Sequence, residues 1–188
     1  SLLYLVIKNN ENWLKIMLVV GAVALSLTVV DGVNLGFIKP LIARPRPLES
    51  HVLQRLVVTT NHYRAEGYSF FSSHAANAFV VAVFFSLLVR DRIFSAFMTA
   101  WSITLSATRL YLGVHYPSDI LAGMLFGSVV AAFVYYLYRR IYARCSDKLH
   151  YISTKYTQTG YSFADVDVVI CVLLLTFIYA AFRAVLSI

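Results

Sequence analysis

Charge is scarce in this chain. Only 13% of its 188 residues are Asp, Glu, Lys or Arg, about half the roughly 25% usual in a soluble domain. Acidic residues are the scarcer sign, nine against sixteen basic, for a net charge of +7. Cysteine is limited to Cys145 and Cys171, so a disulfide framework is excluded. Cys171 falls in an apolar run and reads as packing; Cys145 falls in a basic loop and reads as a free thiol. Low-complexity stretches and convincing internal repeats are absent. Strict period-two alternation is absent too, which disfavours barrel strands. No cleavable signal peptide is evident, and the chain opens on Ser1 rather than methionine, as a trimmed or tagged polypeptide does. Ser1 to Ile7 is apolar but too short to span, so it is expected on the interface or as the stub of something longer.

What is present is apolar length. Hydrophobic residues make up 60% of the chain, and they come in long runs. Crossing a hydrocarbon core of roughly 30 Å at 1.5 Å per residue takes about 20 residues. Five segments approach or exceed that: Trp13 to Ile38, Ser69 to Val89, Ile93 to Leu112, Ser118 to Tyr138 and Val166 to Leu186. The predicted fold is all-α, an integral membrane helical bundle with about five transmembrane helices plus short interfacial helices. Residues 1–188 read as a single membrane-embedded domain with a motif-bearing core at about 39–140 and an interfacial loop at about 48–68.

Local punctuation supports these limits. Pro40, Pro45 and Pro47 should end the first long helix, since proline cannot continue the hydrogen-bond ladder. Arg90-Asp91-Arg92 leaves a very tight turn between the second and third. Pro117 separates the third and fourth, with Ser118 or Asp119 available to cap. Gly123 and Gly127 would let another helix approach closely. Asp31, inside the first long helix, should face the bundle interior or a polar partner. Tyr151, Tyr156, Tyr161 and Phe163 read as interfacial anchors.

The excess positive charge flanks apolar runs and forms no stripe on a polar face, so nucleic acid is not an expected partner. Anionic lipid headgroups are. The basic residues also orient the bundle. Nine lie on one side, from Lys8 and Lys15 through Arg90, Arg92 and the stretch Arg139 to Lys155. The other side carries Lys39, Arg44, Arg46, Arg55, Arg64 and Arg109, three of which belong to the clusters described next. The richer side should be cytoplasmic, and the clusters should face outward.

Three clusters would converge on that outward side. Lys39 and Arg46, in a proline-stiffened stretch, could clamp phosphate oxygens, Arg in a bidentate way and Lys as a point charge. They would equally suit cations snorkelling at a helix end. Ser72, Ser73 and His74 open the second long helix, where free N–H groups favour an anion. His74 could there protonate a leaving alkoxide. A plain N-cap beside an interfacial histidine is the alternative. Arg109, His115 and Asp119 flank the Pro117 bend. Asp119 could accept a hydrogen bond from His115 Nδ1–H and leave Nε2 to attack phosphorus. A capping Asp beside an interfacial His would look the same. Zinc binding by two His and an Asp is disfavoured, because three cations beside them would repel a divalent ion. Arg44, His51, Arg55, His62 and Arg64 could touch a substrate headgroup, on a stretch whose Val52, Leu53, Leu56 and Val57 suggest a short helix lying on the membrane. A solvated loop is the other reading.

Taken together, Lys39-x6-Arg46-Pro47, Ser72-Ser73-His74 and Arg109-x5-His115-x3-Asp119 resemble the three signatures of the type-2 phosphatidic acid phosphatase superfamily. The resemblance runs from Lys39 to Asp119 and the helix that follows. It implies a metal-independent lipid phosphatase with no cofactor, working through a phosphohistidine. The position matching the nucleophile is His115, supported by Asp119, and the one matching the general acid is His74. Lys39, Arg46, Arg109 and the Ser72–His74 turn would hold phosphate. Two departures stand out: Phe71-Ser72-Ser73-His74 replaces the usual Pro-Ser-Gly-His, and Thr108-Arg109 replaces Ser-Arg. Ser73 in place of Gly changes how closely backbone can approach phosphate.

Resemblance to bacterial members implies a multi-pass protein of the inner (cytoplasmic) membrane with its site facing the periplasm or exterior. Its partners would be a lipid phosphate substrate and membrane lipids, with no obligate protein partner evident. Lipid A 1-phosphate is the first expected substrate, since a basic 48–68 loop suits a polyanionic lipid. Undecaprenyl diphosphate and phosphatidylglycerol phosphate follow. A small-anion transporter is the non-enzymatic alternative, against which the missing inverted repeat argues.

Overall fold

The computed structural model describes residues 1–10, 12–49, 67–145 and 154–186. Within them the chain runs through α1 (Leu2–Lys8), α2 (Trp13–Val33), a π-helical turn (Asn34–Ile38), α3 (Lys39–Ile42), a 3-10 turn (Pro47–Glu49), α4 (Ser73–Val89), α5 (Arg92–Tyr111), α6 (Pro117–Cys145) and α7 (Phe163–Leu186). The five expected spans correspond to α2 with its extension, α4, α5, α6 and α7. This is an all-helical membrane bundle. By length and composition the α2 extension (Trp13–Glu49), α6 (Pro117–Arg144) and α7 (Phe163–Arg183) can cross a bilayer, while α4 is apolar but shorter.

Each long helix starts where a side chain can replace the missing backbone acceptor. Asn12 Oδ1 accepts the Leu14 N–H at 2.9 Å, and Asp91 Oδ1 accepts the Phe94 N–H at 2.7 Å. Polar residues inside the helices meet the shortage of water differently. Ser26, Thr104, Ser106 and Ser128 donate their hydroxyls to the carbonyl four residues earlier, so these hydroxyls are paired within their own helices. Ser102 instead donates across to the Ala78 carbonyl at 3.0 Å, tying α5 to α4.

Helix α4 is the centre, packed against α6, α5 and α2. Its Ala75, Ala76, Val80, Phe84 and Leu88 are buried. The closest approach is to α6, and it depends on glycine. A Cβ on Gly123 would lie 2.6 Å from the Ser72 carbonyl oxygen, and one on Gly127 would overlap the Ala76 carbonyl. The expected close-packing pair therefore meets the backbone of α4. Further along, Phe84 stands edge-on to Tyr135 with centroids 5.8 Å apart. On the outside, Leu175, Ile178, Tyr179 and Phe182 of α7 are exposed, as suits a lipid-facing surface.

Three expectations change. The first long helix does not stop at Ile38: it runs on through Pro40 to Ile42 and ends where Ala43 turns left-handed, at φ 46°. The turn before Pro40 is widened, and the Lys39 N–H reaches back five residues to the Asn34 carbonyl. That widening relieves the clash a proline ring makes with a regular helical turn. Second, the opening residues, expected on the interface or as the stub of something longer, form α1, which packs on α7 and α2. Leu5 and Val6 of α1 are buried, and Lys8 Nζ pairs with Asp165 of α7 at 2.8 Å. Third, Tyr161 is not an interfacial anchor but a buried residue whose hydroxyl accepts a hydrogen bond from Asn10. Tyr156 and Phe163 are exposed as expected, and Tyr151 lies outside the described residues.

Candidate active site

The extended end of α2, the start of α4, the end of α5 and the turn before α6 surround one cavity of about 730 Å³. Lys39, Arg46, Ser73, His74, Arg109 and His115 line it together with Asp31, Asn77 and Ser102, and its apolar lining includes Leu27, Leu35, Val81, Met98, Trp101 and Leu105. All three sequence clusters thus contribute to one space, and both histidines face it.

The widened turn explains how Lys39 gets there. In a helix closed by bonds five residues apart, positions 34 and 39 fall on one face rather than well apart around the axis. Arg46 reaches the cavity from the loop and is fixed by two carbonyls: Nε donates to Gly67 O at 2.8 Å and Nη1 to Val114 O at 3.1 Å. It is buried with 6% exposure, so its charge acts in a poorly screened environment. Arg109 lines the opposite wall, and its buried Nε meets no partner among the described residues.

His115 lies in the five-residue turn between α5 and α6, where Gly113 takes φ 65°. Burial, with the positive charges of Arg46 and Lys39, lowers its pKa from the ordinary 6.5 to about 4, against an opposing pull from Asp119 and the Ser69 backbone. The ring is therefore neutral at pH 7, as a nitrogen nucleophile must be.

Asp119 is fully buried and more heavily engaged than expected. Its Oδ1 accepts from Arg44 Nη1 at 2.7 Å, and its Oδ2 accepts from the Ser69 hydroxyl and from the Tyr116 N–H at 3.0 Å. The last bond caps α6, so the capping reading and the histidine-partner reading meet in one residue. The expected His115–Asp119 hydrogen bond is not formed: Nδ1 stands 3.7 Å from Oδ2 and has no hydrogen-bond partner among the described residues. The pair is close enough for electrostatic support, and a shift of under an ångström would make the bond.

Arg44 also departs from expectation. Rather than reaching for a headgroup, it bonds Asp119 and the Ser118 hydroxyl and lies 3.9 Å over the Tyr116 ring. Its carbonyl accepts the Ser69 N–H at 2.8 Å. The carboxylate recruits it because a fully buried charge is costly without a cation. Ser72, expected to hold phosphate, sits behind the cavity. Its N–H donates to the Asp119 carbonyl at 3.1 Å, and its Oγ is the N-cap acceptor for Ala75. The first contact joins α4 to α6 and the second caps α4, so both groups are occupied. His51, Arg55, His62 and Arg64 lie outside the described residues.

Three contributors escaped the sequence reading. Ser69 and Asn34 are neutral residues beside apolar runs, with no charge to draw notice. Asn77 follows His74 by one helical turn, and its Nδ2 donates to both oxygens of Asp31 at 3.1 Å. A helical-wheel reading of Asp31 against α4 could have found it. Among the described residues no three His, Cys, Asp or Glu side chains converge as metal ligands.

The site defines a class: a membrane-embedded helical bundle that turns cations, a helix start and two imidazoles toward one anion-sized space above an apolar chamber. The sequence gives the family. Residues 14–143 match the model of the PAP2 superfamily, and the chain belongs to that superfamily. It is 39% identical over 145 residues to the lipid A 4'-phosphatase of Bacteroides thetaiotaomicron, covering 77% of this chain and 64% of that one. It is 36% identical over 130 residues to the lipid A 4'-phosphatase of Porphyromonas gingivalis, covering 68% and 53%. To the lipid A 1-phosphatase of Rhizobium etli it is 35% identical over 120 residues, covering 62% and 50%. The chain thus spans between half and 64% of the length of these relatives. No solved structure matches it.

Proposed function

We propose that this bundle is a lipid A phosphatase that hydrolyses a phosphate monoester through a phosphohistidine, without a metal. The observation that carries the reading is the convergence of Lys39, Arg46, Arg109, His74 and His115 on a single cavity whose remaining lining is largely apolar, with Asp31, Asn77 and Ser102 the polar exceptions beside Ser73. Such a space suits a phosphate at one end and lipid at the other. His115 Nε2 attacks phosphorus while the bond from phosphorus to the lipid oxygen breaks, and His74 donates its proton to that oxygen. Water then attacks the phosphohistidine, giving a proton to His74 and releasing phosphate from Nε2. The three cations stabilise charge on the transferring group in both steps. As His115 gains positive charge, its Nδ1–H closes the gap to Asp119, whose carboxylate balances it.

The 4' position is favoured over the 1 position expected from the sequence, because two relatives bearing that activity in their names match 77% and 68% of the chain. The 1 position is kept as the second reading by the Rhizobium relative. The excess of Lys and Arg at the other end of the bundle supports an inner-membrane protein with the cavity open to the periplasm.

The test is phosphate release by purified protein in detergent with EDTA. Bis-phosphorylated lipid A, undecaprenyl diphosphate and phosphatidylglycerol phosphate are compared, with the position cleaved read by mass spectrometry. Loss of one phosphate from lipid A alone is expected, with none from His115→Ala. Activity abolished by EDTA and restored by zinc would refute the histidine route, and retention of lipid A phosphates with turnover of another lipid would refute the substrate. Anion uptake into vesicles without phosphate release would favour a transporter.

A further inference from the structure

Where the superfamily signature has glycine, this chain has Ser73, and opposite it lies a fully buried Asn34. The Asn34 amide nitrogen donates to the Phe71 carbonyl at 2.9 Å and to Ser73 Oγ at 2.7 Å. A carbonyl can only accept, so the Phe71 contact fixes which end of the amide faces α4. Turning the amide over would set Oδ1 against that carbonyl. The orientation is held even though it leaves Asn34 Oδ1 buried without a partner among the described residues.

This has a consequence for Ser73. Its oxygen already accepts a proton from Asn34, so its own O–H must point elsewhere. No described residue takes that proton, and Ser73 lines the cavity beside Lys39, Arg46 and His74. The widened turn supplies the geometry: it begins at Asn34 and ends at Lys39, whose N–H bonds the Asn34 carbonyl. One device therefore sets both the lysine and the amide.

We propose that Asn34 is a positioning residue that turns the Ser73 hydroxyl into an additional hydrogen-bond donor for a phosphoryl oxygen, a contact glycine at this position cannot make. The inference rests on the phosphatase reading above and adds to it an anion ligand that the signature glycine could not supply. A hydroxyl donating to an ionised oxygen is among the stronger neutral donors, and its loss is expected to weaken anion binding about tenfold or more.

The probe is orthovanadate, whose binding is measured directly by calorimetry in detergent as well as through inhibition of turnover. Ser73→Ala should weaken vanadate binding and lower kcat/KM by about tenfold, with an unchanged thermal midpoint. Ser73→Thr, which keeps the hydroxyl, should restore most of both. Asn34→Asp has the same shape but accepts where Asn donates, so it should draw the Ser73 proton away and match Ser73→Ala. In the Ser73→Ala background it should cost no further vanadate affinity. If Ser73→Ala binds vanadate as wild type does, the donor is refuted. If Ser73→Ala weakens binding and Asn34→Asp, folded by its midpoint, does not, the positioning role is refuted. Wild-type protein that binds vanadate yet releases phosphate from no lipid would sink the phosphatase reading alone, since the binding arm still tests Ser73.

Discussion

The two ends of the bundle are both polar, and they are built to opposite rules. At the end where α1 meets α7, the polar groups find protein partners. Lys8 pairs with Asp165 at 2.8 Å, Asn9 bonds Asp165 and accepts the Ser162 N–H, and Thr159 donates to the Val89 carbonyl. At the cavity end Arg44, Arg46 and Asp119 do so as well, but a group of their neighbours does not. Of the buried side-chain atoms without a partner among the described residues, Asn34 Oδ1, Asn77 Oδ1, Arg109 Nε and His115 Nδ1 all belong to residues at or beside the cavity, and Ser86 Oγ stands apart. Buried polar atoms are ordinarily paired. Open polar atoms gathered beside Lys39, Arg46 and Arg109 are what the proposed phosphate site would use. One end is finished by folding, and the other is proposed to be finished by binding.

That contrast can be broken from either side. The largest effect should come from His115→Leu, which removes an open polar atom from the cavity end. Phosphate release should fall by about a thousandfold or more, while the thermal midpoint holds or rises. A midpoint that drops would mean the ring is a structural element after all. Gly127→Leu attacks what the ends share, the contact of α6 with the α4 backbone. A side chain there should destabilise the fold by about 1–3 kcal/mol or more, visible as a lower midpoint together with lost activity. Arg44→Ala is next. With Asp119 released from its cation, His115 should bind protons more readily. The free-enzyme kcat/KM profile, whose acid limb should lie near the His115 value of about 4, should move that limb up toward 6.5. KM near neutral pH should change little. An unmoved limb would show that Arg44 does not act through Asp119. The same depressed histidine contributes stability that is fully present above pH 6.5 and lost as pH falls through about 4. Smallest should be Asp165→Asn at the finished end: a modest drop in midpoint with turnover untouched.

Much of this was legible in the residues. The spans were, because 20-residue apolar runs have few other uses. So was the meeting of the three clusters, because each falls where an apolar run ends or begins and all three fall on the same side of the bundle. The partners were not. Pro40 was taken as a stop because its effect on a regular turn is known, whereas the widened turn that admits it leaves no mark in composition. Asn34 sits among Val, Leu and Phe with nothing to show that it faces another polar group 39 residues away. Arg44 reads as a headgroup contact because its bond to Asp119 spans 75 residues. Ser72 reads as a phosphate ligand at the start of its helix, whereas its N–H is claimed by Asp119 of α6. Elements follow from local pattern; which hydrogen bonds remain open follows from contacts the pattern does not encode.

The glycine contact between α6 and α4 has one more effect. It sets main chain against main chain directly behind Ser72 and Ala76, and the Ser72 N–H to Asp119 carbonyl bond lies in the same seam. His74 and His115 are therefore mounted on a common chassis whose spacing does not pass through any flexible side chain. Thickness, fluidity or acyl composition of the surrounding bilayer can jostle α5 and α7, yet the gap across which a phosphoryl group would be handed over stays the same width.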